Sequence, residues 1–287
     1  MVQKTIENPE KNNNKMDDEL EINPPSVCLA LDTTSSMRLS LDAIKSSIRI
    51  LSQMLKLLKI ELIIILYGDY CSKRQRIDQV VKVLKGSIDQ IMFGLNCYAL
   101  GDNGGGGDAQ EALITALNKA YQEISDNTIL IIISDDQYHN SPTMESKYEN
   151  IALTSNPDMV PDFNSMIDKL ILKTTVDVIT KPNHLAAYSH IKQHDGYVCG
   201  LEELNEQAVT EALFILMKLR FSNDIFPPGV KIPDYIKLQS QNDHSTLSKF
   251  NLRLDPNEEL KYFDCFIQFI RNHPNLFPLL SFLAVIY

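Results

Sequence analysis

The residue pattern of this chain predicts an α/β fold: a doubly wound, mostly parallel β-sheet flanked by helices on both faces, with a C-terminal helical extension. Three observations lead there. Short apolar runs alternate with stretches of helical period. The runs are apolar throughout instead of at every second residue, as befits strands covered on both sides. The strongest runs also stop at Asp, Ser and Thr clusters or at Gly-Asp, which are loop residues.

Residues 1–25 are rich in Asn, Lys, Glu and Asp and hold no apolar stretch, so they read as a disordered tail and not as a secretory signal. Val27 to Asp32 is the first apolar run, a buried strand that enters a loop. Leu41, Ile44, Ile48, Leu51, Leu55 and Leu58 then recur at steps of three and four, one face of an amphipathic helix whose polar face carries Lys45, Arg49 and Lys56. Ile60 to Tyr67 is a β-branched run closed by Gly68 and Asp69, hence a second strand. Val80 to Leu95 is ambiguous in period. The tract Gly104 to Gly107 precedes Asp108 and a helix through Leu113, Leu117 and Ile124. Thr128 to Ile133 is the most hydrophobic strand and ends in Ser134, Asp135 and Asp136. Further rounds follow: a helix around Phe163 to Leu172, a strand at Val176 to Ile179, a helix from His184 to Lys192, a strand at Gly196 to Gly200 and a helix from Glu206 to Leu219. Pro227, Pro228 and Pro233 break the series, so the α/β domain is expected over 26–221, a linker over 222–256, and a helical, apolar extension over 257–287.

A net charge of -10 and a pI near 5.1 exclude the broad basic face that nucleic-acid binding needs. Lys73, Arg74 and Arg76 form a short basic cluster beside turn residues and read as a solvated loop. Cys28, Cys71, Cys97, Cys199 and Cys265 are scattered, odd in number and without CxxC pairs, the usage of reduced thiols in an intracellular, cytoplasmic protein. The apolar end, Leu276 to Tyr287, is too short to span a bilayer and is expected to be a packing segment or the stump of a longer chain; self-association or a second chain is a further expectation, which deleting 257–287 and measuring solution mass would test.

In a doubly wound sheet, ligands sit outside the carboxyl ends of the strands where strand order reverses. Asp32, Thr34 and Ser36 follow the first strand, Asp135 follows the most hydrophobic one, and Asp108 sits in a loop that opens a helix. Each alone reads as a helix cap or a loop residue. Together they offer carboxylates and hydroxyls, the hard oxygen mixture that suits Mg2+, with Mn2+ or Ca2+ as related possibilities. The adjoining glycines would let backbone pass close to an ion.

Asp32-Thr33-Thr34-Ser35-Ser36 resembles D-x-S/T-x-S, the first motif of the metal-ion-dependent adhesion site (MIDAS) of the von Willebrand factor A (vWA) family. With Met37, with Tyr67-Gly68-Asp69, with Gly105-Gly106-Gly107-Asp108-Ala109-Gln110-Glu111-Ala112 and with Asp135-Asp136-Gln137-Tyr138-His139, the ordered set is similar to the intracellular A domains associated with eukaryotic alpha-kinases. The resemblance covers about two thirds of the chain. It implies that Thr34 and Ser36 present hydroxyls to the metal directly, that Asp32 and Asp135 bind directly or through water, and that Asp108 takes the second-loop position. It further implies a non-catalytic module that binds a protein partner. Gly68 stands where that group has arginine, and Gln137 and Tyr138 where it has prolines. Three carboxylates against one divalent ion leave one negative charge in excess, which disfavours an acidic side chain as the incoming ligand.

Three other readings compete. A magnesium-dependent phosphohydrolase of the haloacid dehalogenase type needs D-x-D, and Thr34 occupies the place of its second carboxylate. A kinase is excluded by the missing G-K-S/T after the glycine tract and by the short remainder of the chain. A scaffold domain that works without metal is the remaining alternative. His139 reads as a loop-packing residue, and His184, His190 and His194 as a solvated helix face without zinc-site spacing.

Overall fold

The apolar runs become buried strands in the computed structural model, which describes residues 25–69, 77–98, 110–138, 162–220 and 236–240. The N-terminal tail, the glycine tract with Asp108, the basic cluster, His139 and the expected helix and apolar segment of 257–287 lie outside the described residues.

In chain order the elements are β1 (Ser26–Asp32), a 3-10 turn (Ser35–Leu39), α1 (Leu41–Leu57), β2 (Glu61–Tyr67), the single turn α2 (Ile77–Val80), β3 (Val81–Leu84) and α3 (Ile88–Cys97). There follow β4 (Gln110–Glu111), α4 (Leu113–Glu123), β5 (Thr128–Ile133), β6 (Gln137–Tyr138), α5 (Phe163–Ile171) and β7 (Thr175–Thr180). The series ends with α6 (Ser189–Gln193), β8 (Val198–Leu201), α7 (Glu206–Arg220) and β9 (Ile236–Gln239). One seven-stranded sheet runs in the order β3-β2-β1-β5-β7-β8-β9, parallel except for its two edge strands. β4 and β6 form a separate two-residue parallel pair.

Strand alternation divides the core into two layers. Val27, Leu29 and Leu31 of β1 point to one layer with Ile129, Ile131 and Ile133, while Cys28 and Ala30 point to the other with Leu130 and Ile132. The first layer is closed by α1, α3 and α7, the second by α4, α5 and α6, so every central strand is covered on both faces. The predicted stripe of α1 is buried throughout, from Leu41 to Leu58, and each such side chain contributes about 1.5–3 kcal/mol by leaving water. Among the described residues no helix is long and apolar enough to cross a membrane.

Three features differ from expectation. Val81–Leu84 is a strand, paired antiparallel to β2, and Ser87 then starts α3 through a reciprocal capping box with Gln90. Ile236–Gln239, inside the stretch read as a linker, adds an antiparallel edge to β8; Ile236 tucks into the core while Lys237 and Gln239 stay outside. The helix expected from His184 to Lys192 is instead a 3-10 turn at Pro182–His184, a run of turns and the short α6. Leu185 and Tyr188 are drawn into the second core layer there, and Tyr188 Oη donates to Asp136 O at 3.1 Å, which holds the segment against the loop after β5.

Candidate functional site

The strand order reverses between β1 and β5: the chain leaves β1 toward β2 on one side and returns to build β5, β7 and β8 on the other. The crevice beyond the carboxyl ends of β1 and β5 is therefore where a ligand would enter. Asp32 is the last residue of β1 and Asp135 stands two residues beyond β5.

The side chains there lie in one string of close polar contacts, with each hydroxyl donating to a carboxylate. Ser134 Oγ donates to Asp32 Oδ2 at 2.9 Å, and the N–H and Oγ1 of Thr34 donate to Asp32 Oδ1 at 2.9 and 2.7 Å. Thr34 Oγ1 lies 3.0 Å from Ser36 Oγ, which donates to Asp135 Oδ1 at 2.8 Å. Lys181, at the end of β7, completes the string with Nζ 3.0 Å from Asp135 Oδ2. Asp32, Thr34 and Asp135 are buried and Ser36 is exposed, so the donor set has a wet side at Ser36.

The loops are fixed from behind. Thr33 donates its N–H and its Oγ1 to Tyr67 O, each at 2.8 Å, and its hydroxyl also meets Tyr98 Oη at 2.8 Å. This ties the Asp32 loop to the end of β2 and to α3. Ala112 N–H donates to Gly68 O at 3.2 Å, and Gln110–Glu111 pairs with Gln137–Tyr138, which joins the segment after the glycine tract to the Asp135 loop. Tyr138 stacks on Phe163 with ring centroids 3.6 Å apart and donates to Ala187 O at 2.8 Å. Asp69, from the second motif, is buried at the end of the β2 loop.

Burial pushes the Asp32 carboxyl up to about 7, and the nearby Asp135 charge adds to the push; the hydrogen bonds from Thr34 and Ser134 hold it down. A buried carboxyl with a second carboxyl two hydroxyls away is an arrangement that a cation relieves. Two carboxyls and two hydroxyls in mutual contact are also a donor set for a small hard ion, so the residues present fit magnesium.

Of the residues singled out in the sequence, Asp32, Thr34, Ser36 and Asp135 are brought together, and Asp108 lies outside the described residues. Ser134 and Lys181 were not anticipated. Their only signal was position, each lying just past the carboxyl end of a predicted strand. Cys28, Cys97 and Cys199 are free thiols, and burial pushes Cys199 up to about 12, far from a reactive thiolate.

No family model matches the chain. A putative ariadne-like RING finger protein of Acanthamoeba polyphaga mimivirus is 24% identical over 220 residues, which are 71% of this chain and 21% of that protein. The chain thus spans about one fifth of the length of that curated relative. Among solved structures, a von Willebrand factor type A protein from Catenulispora acidiphila is 12% identical with a TM-score of 0.43, covering 66% of this chain and 41% of that one. The PilB minor pilin from Streptococcus sanguinis, solved as a mutant, is 13% identical with a TM-score of 0.46, covering 70% and 62%. The described chain is an α/β domain whose candidate site lies at the switch point of a mostly parallel sheet.

Proposed function

We propose that this chain is a vWA-type domain that holds a divalent metal of the magnesium class through Asp32, Thr34, Ser36 and Asp135, with Asp108 as a further ligand, and that it binds a protein partner with its upper loops. The observation that carries this reading is the bond from Ser36 to Asp135, which joins the D-x-T-x-S loop to the loop after β5. A bound ion would supply a positive charge at the crevice. Asp32 and Asp135 would hold that charge, Thr34 and Ser36 would orient it, and the exposed side at Ser36 would leave it open to a partner. The role is binding and not catalysis, because Thr34 stands where a phosphohydrolase needs its second carboxylate. The cell interior is the setting we assign, on the cysteine usage. A stretch similar to this chain forms one part of a longer protein named for a RING finger, a setting in keeping with an interaction module.

The test is calorimetric titration of magnesium, manganese and calcium into metal-free protein beside an Asp32→Ala/Asp135→Ala variant shown to be folded. Saturable binding that the variant loses is expected. Absence of binding to the folded native protein would overturn the metal-dependent reading.

One observation favours a second reading. Lys181 already places an ammonium 3.0 Å from Asp135, and the hydroxyls of Thr34 and Ser36 each donate to a carboxylate, to Asp32 and to Asp135. A domain in which Lys181 supplies the counter-charge would bind its partner equally well in chelator.

A further inference from the structure

We infer that Asp168, His190 and His194 form a second metal site, apart from the upper loops, which takes zinc. His190 lies in α6 and His194, four residues on, is the residue that follows its last turn, yet both rings face Asp168. His190 Nε2 lies 2.7 Å and His194 Nε2 3.1 Å from one and the same oxygen, Asp168 Oδ1 on α5. All three donor atoms lie within 4.8 Å of one another, and the two rings meet edge to face with centroids 4.7 Å apart.

The donor types set the metal. Two imidazole nitrogens and a carboxylate oxygen suit zinc, whereas magnesium prefers oxygen alone. Zinc holds its ligands at about 2.0–2.2 Å in tetrahedral array, which separates neighbouring donors by roughly 3.3–3.5 Å. The Asp168 oxygen therefore needs to back away by about half an ångström while the rings close around the ion. Its side chain is 53% exposed and free to do so, and those of His190 and His194 are 20% and 35% exposed, partly shielded yet open to solution. Three protein ligands leave the fourth position to water or to a partner's side chain.

The backbone that carries these ligands is held by core packing on both helices. Met166, Ile167 and Leu170 anchor α5 in the core, and Ile191 anchors α6 between the two histidines. After His194 the chain turns through Asp195 at φ 61, whose carbonyl accepts from Arg220 Nη2 at 3.0 Å. Gly196 follows so tightly packed that a Cβ would sit 2.4 Å from Val176 O and 2.7 Å from Ile191 O. A zinc ion here would staple the outer face of α5 to the end of α6.

Zinc chloride titrated into the full, metal-stripped chain, followed by calorimetry and by imidazole nitrogen NMR, tests this. The first equivalent is expected to move the Nε2 signals of His190 and His194 together. His190→Ala and Asp168→Asn are each expected to weaken binding by more than about tenfold, the least that loss of a mere outer partner of a ligand costs. Asp32→Ala/Asp135→Ala and excess magnesium are expected to leave the zinc isotherm unchanged, which separates this site from the upper loops. Zinc that moves other histidines first, or binding that survives both His190→Ala and Asp168→Asn, would overturn the assignment. Both substitutions sit at partly exposed positions, and an unchanged melting curve without zinc verifies that each variant is folded.

Discussion

Ser36 Oγ donates to Asp135 Oδ1 at 2.8 Å across 99 residues of sequence. The contact exists because β1 and β5 are parallel neighbours in register, Leu31 beside Ile133, so the loops that leave them open at one level. Ser36 is exposed, and removal of its hydroxyl leaves the core untouched. Ser36→Ala is accordingly expected to weaken magnesium binding roughly tenfold, the worth of one contact to a charged partner, with the thermal midpoint unchanged. Calorimetry and a melting curve on the same sample decide it; unaltered affinity would remove Ser36 from the ligand set.

Lys181 would act on the proposed metal with the opposite sign. Its ammonium stands where it neutralises Asp135 and repels an incoming dication. Lys181→Met should tighten magnesium binding by about five- to tenfold, the effect of one unit charge at close range in a partly solvated site. If magnesium binds neither the variant nor the native protein, while the partner binds in chelator, the metal-free reading prevails.

Away from the site, Arg220 closes α7 onto β7. Its Nε donates to Asp177 Oδ2 at 2.9 Å, its Nη2 donates to Asp177 Oδ1, and both side chains are fully buried. The guanidinium also lies over the Tyr197 ring at 4.5 Å. Breaking such a pair strands a charge, so Asp177→Asn or Arg220→Met alone is expected to cost about 3–5 kcal/mol in urea denaturation. Asp177→Leu with Arg220→Met should recover most of that, because neither charge is then left buried. A double variant as unstable as the singles would argue against the pairing.

Glu211 on α7 is almost wholly buried, and Gln207 Nε2 donates to its Oε1 at 3.2 Å, while its Oε2 meets no partner among the described residues. Burial raises its carboxyl above the ordinary range, outweighing the hydrogen bond from Gln207. The folded state then holds its proton more tightly than the unfolded chain, so this group's contribution to stability declines as pH rises from the ordinary carboxylate range through the raised folded value. Glu211→Gln should be more stable than the native protein by about 1 kcal/mol at neutral pH and no more stable below the ordinary carboxylate range. A stability difference that does not change with pH would show that the native carboxyl is not perturbed in this way.

Local features were legible in the residue order. The three-and-four period of α1 emerges as a buried face, the apolar runs of β1, β2 and β5 emerge as central strands, and Asp32 and Asp135 stand at strand ends as read. The edge strands were less legible for a physical reason. β3 and β9 have only four residues each, partly exposed, and so lack the continuous apolar signature of the centre. The histidines show the same limit: the spacing of His190 and His194 is visible in sequence, but their shared partner Asp168 comes from another helix.

By itself, then, the sequence determined the period of α1 and of the central strands, their two-sided burial and the carboxylates and hydroxyls that follow them, because these depend on residues close in the chain. The tertiary structure alone decided which loops meet. The bond from Ser36 to Asp135, the reach of Lys181 to that carboxylate, the burial that pushes Asp32 up to about 7 and the convergence of two imidazoles on Asp168 all depend on strand order, register and helix packing. Those are settled by burying two core layers at once, a condition on the whole chain that no short stretch carries.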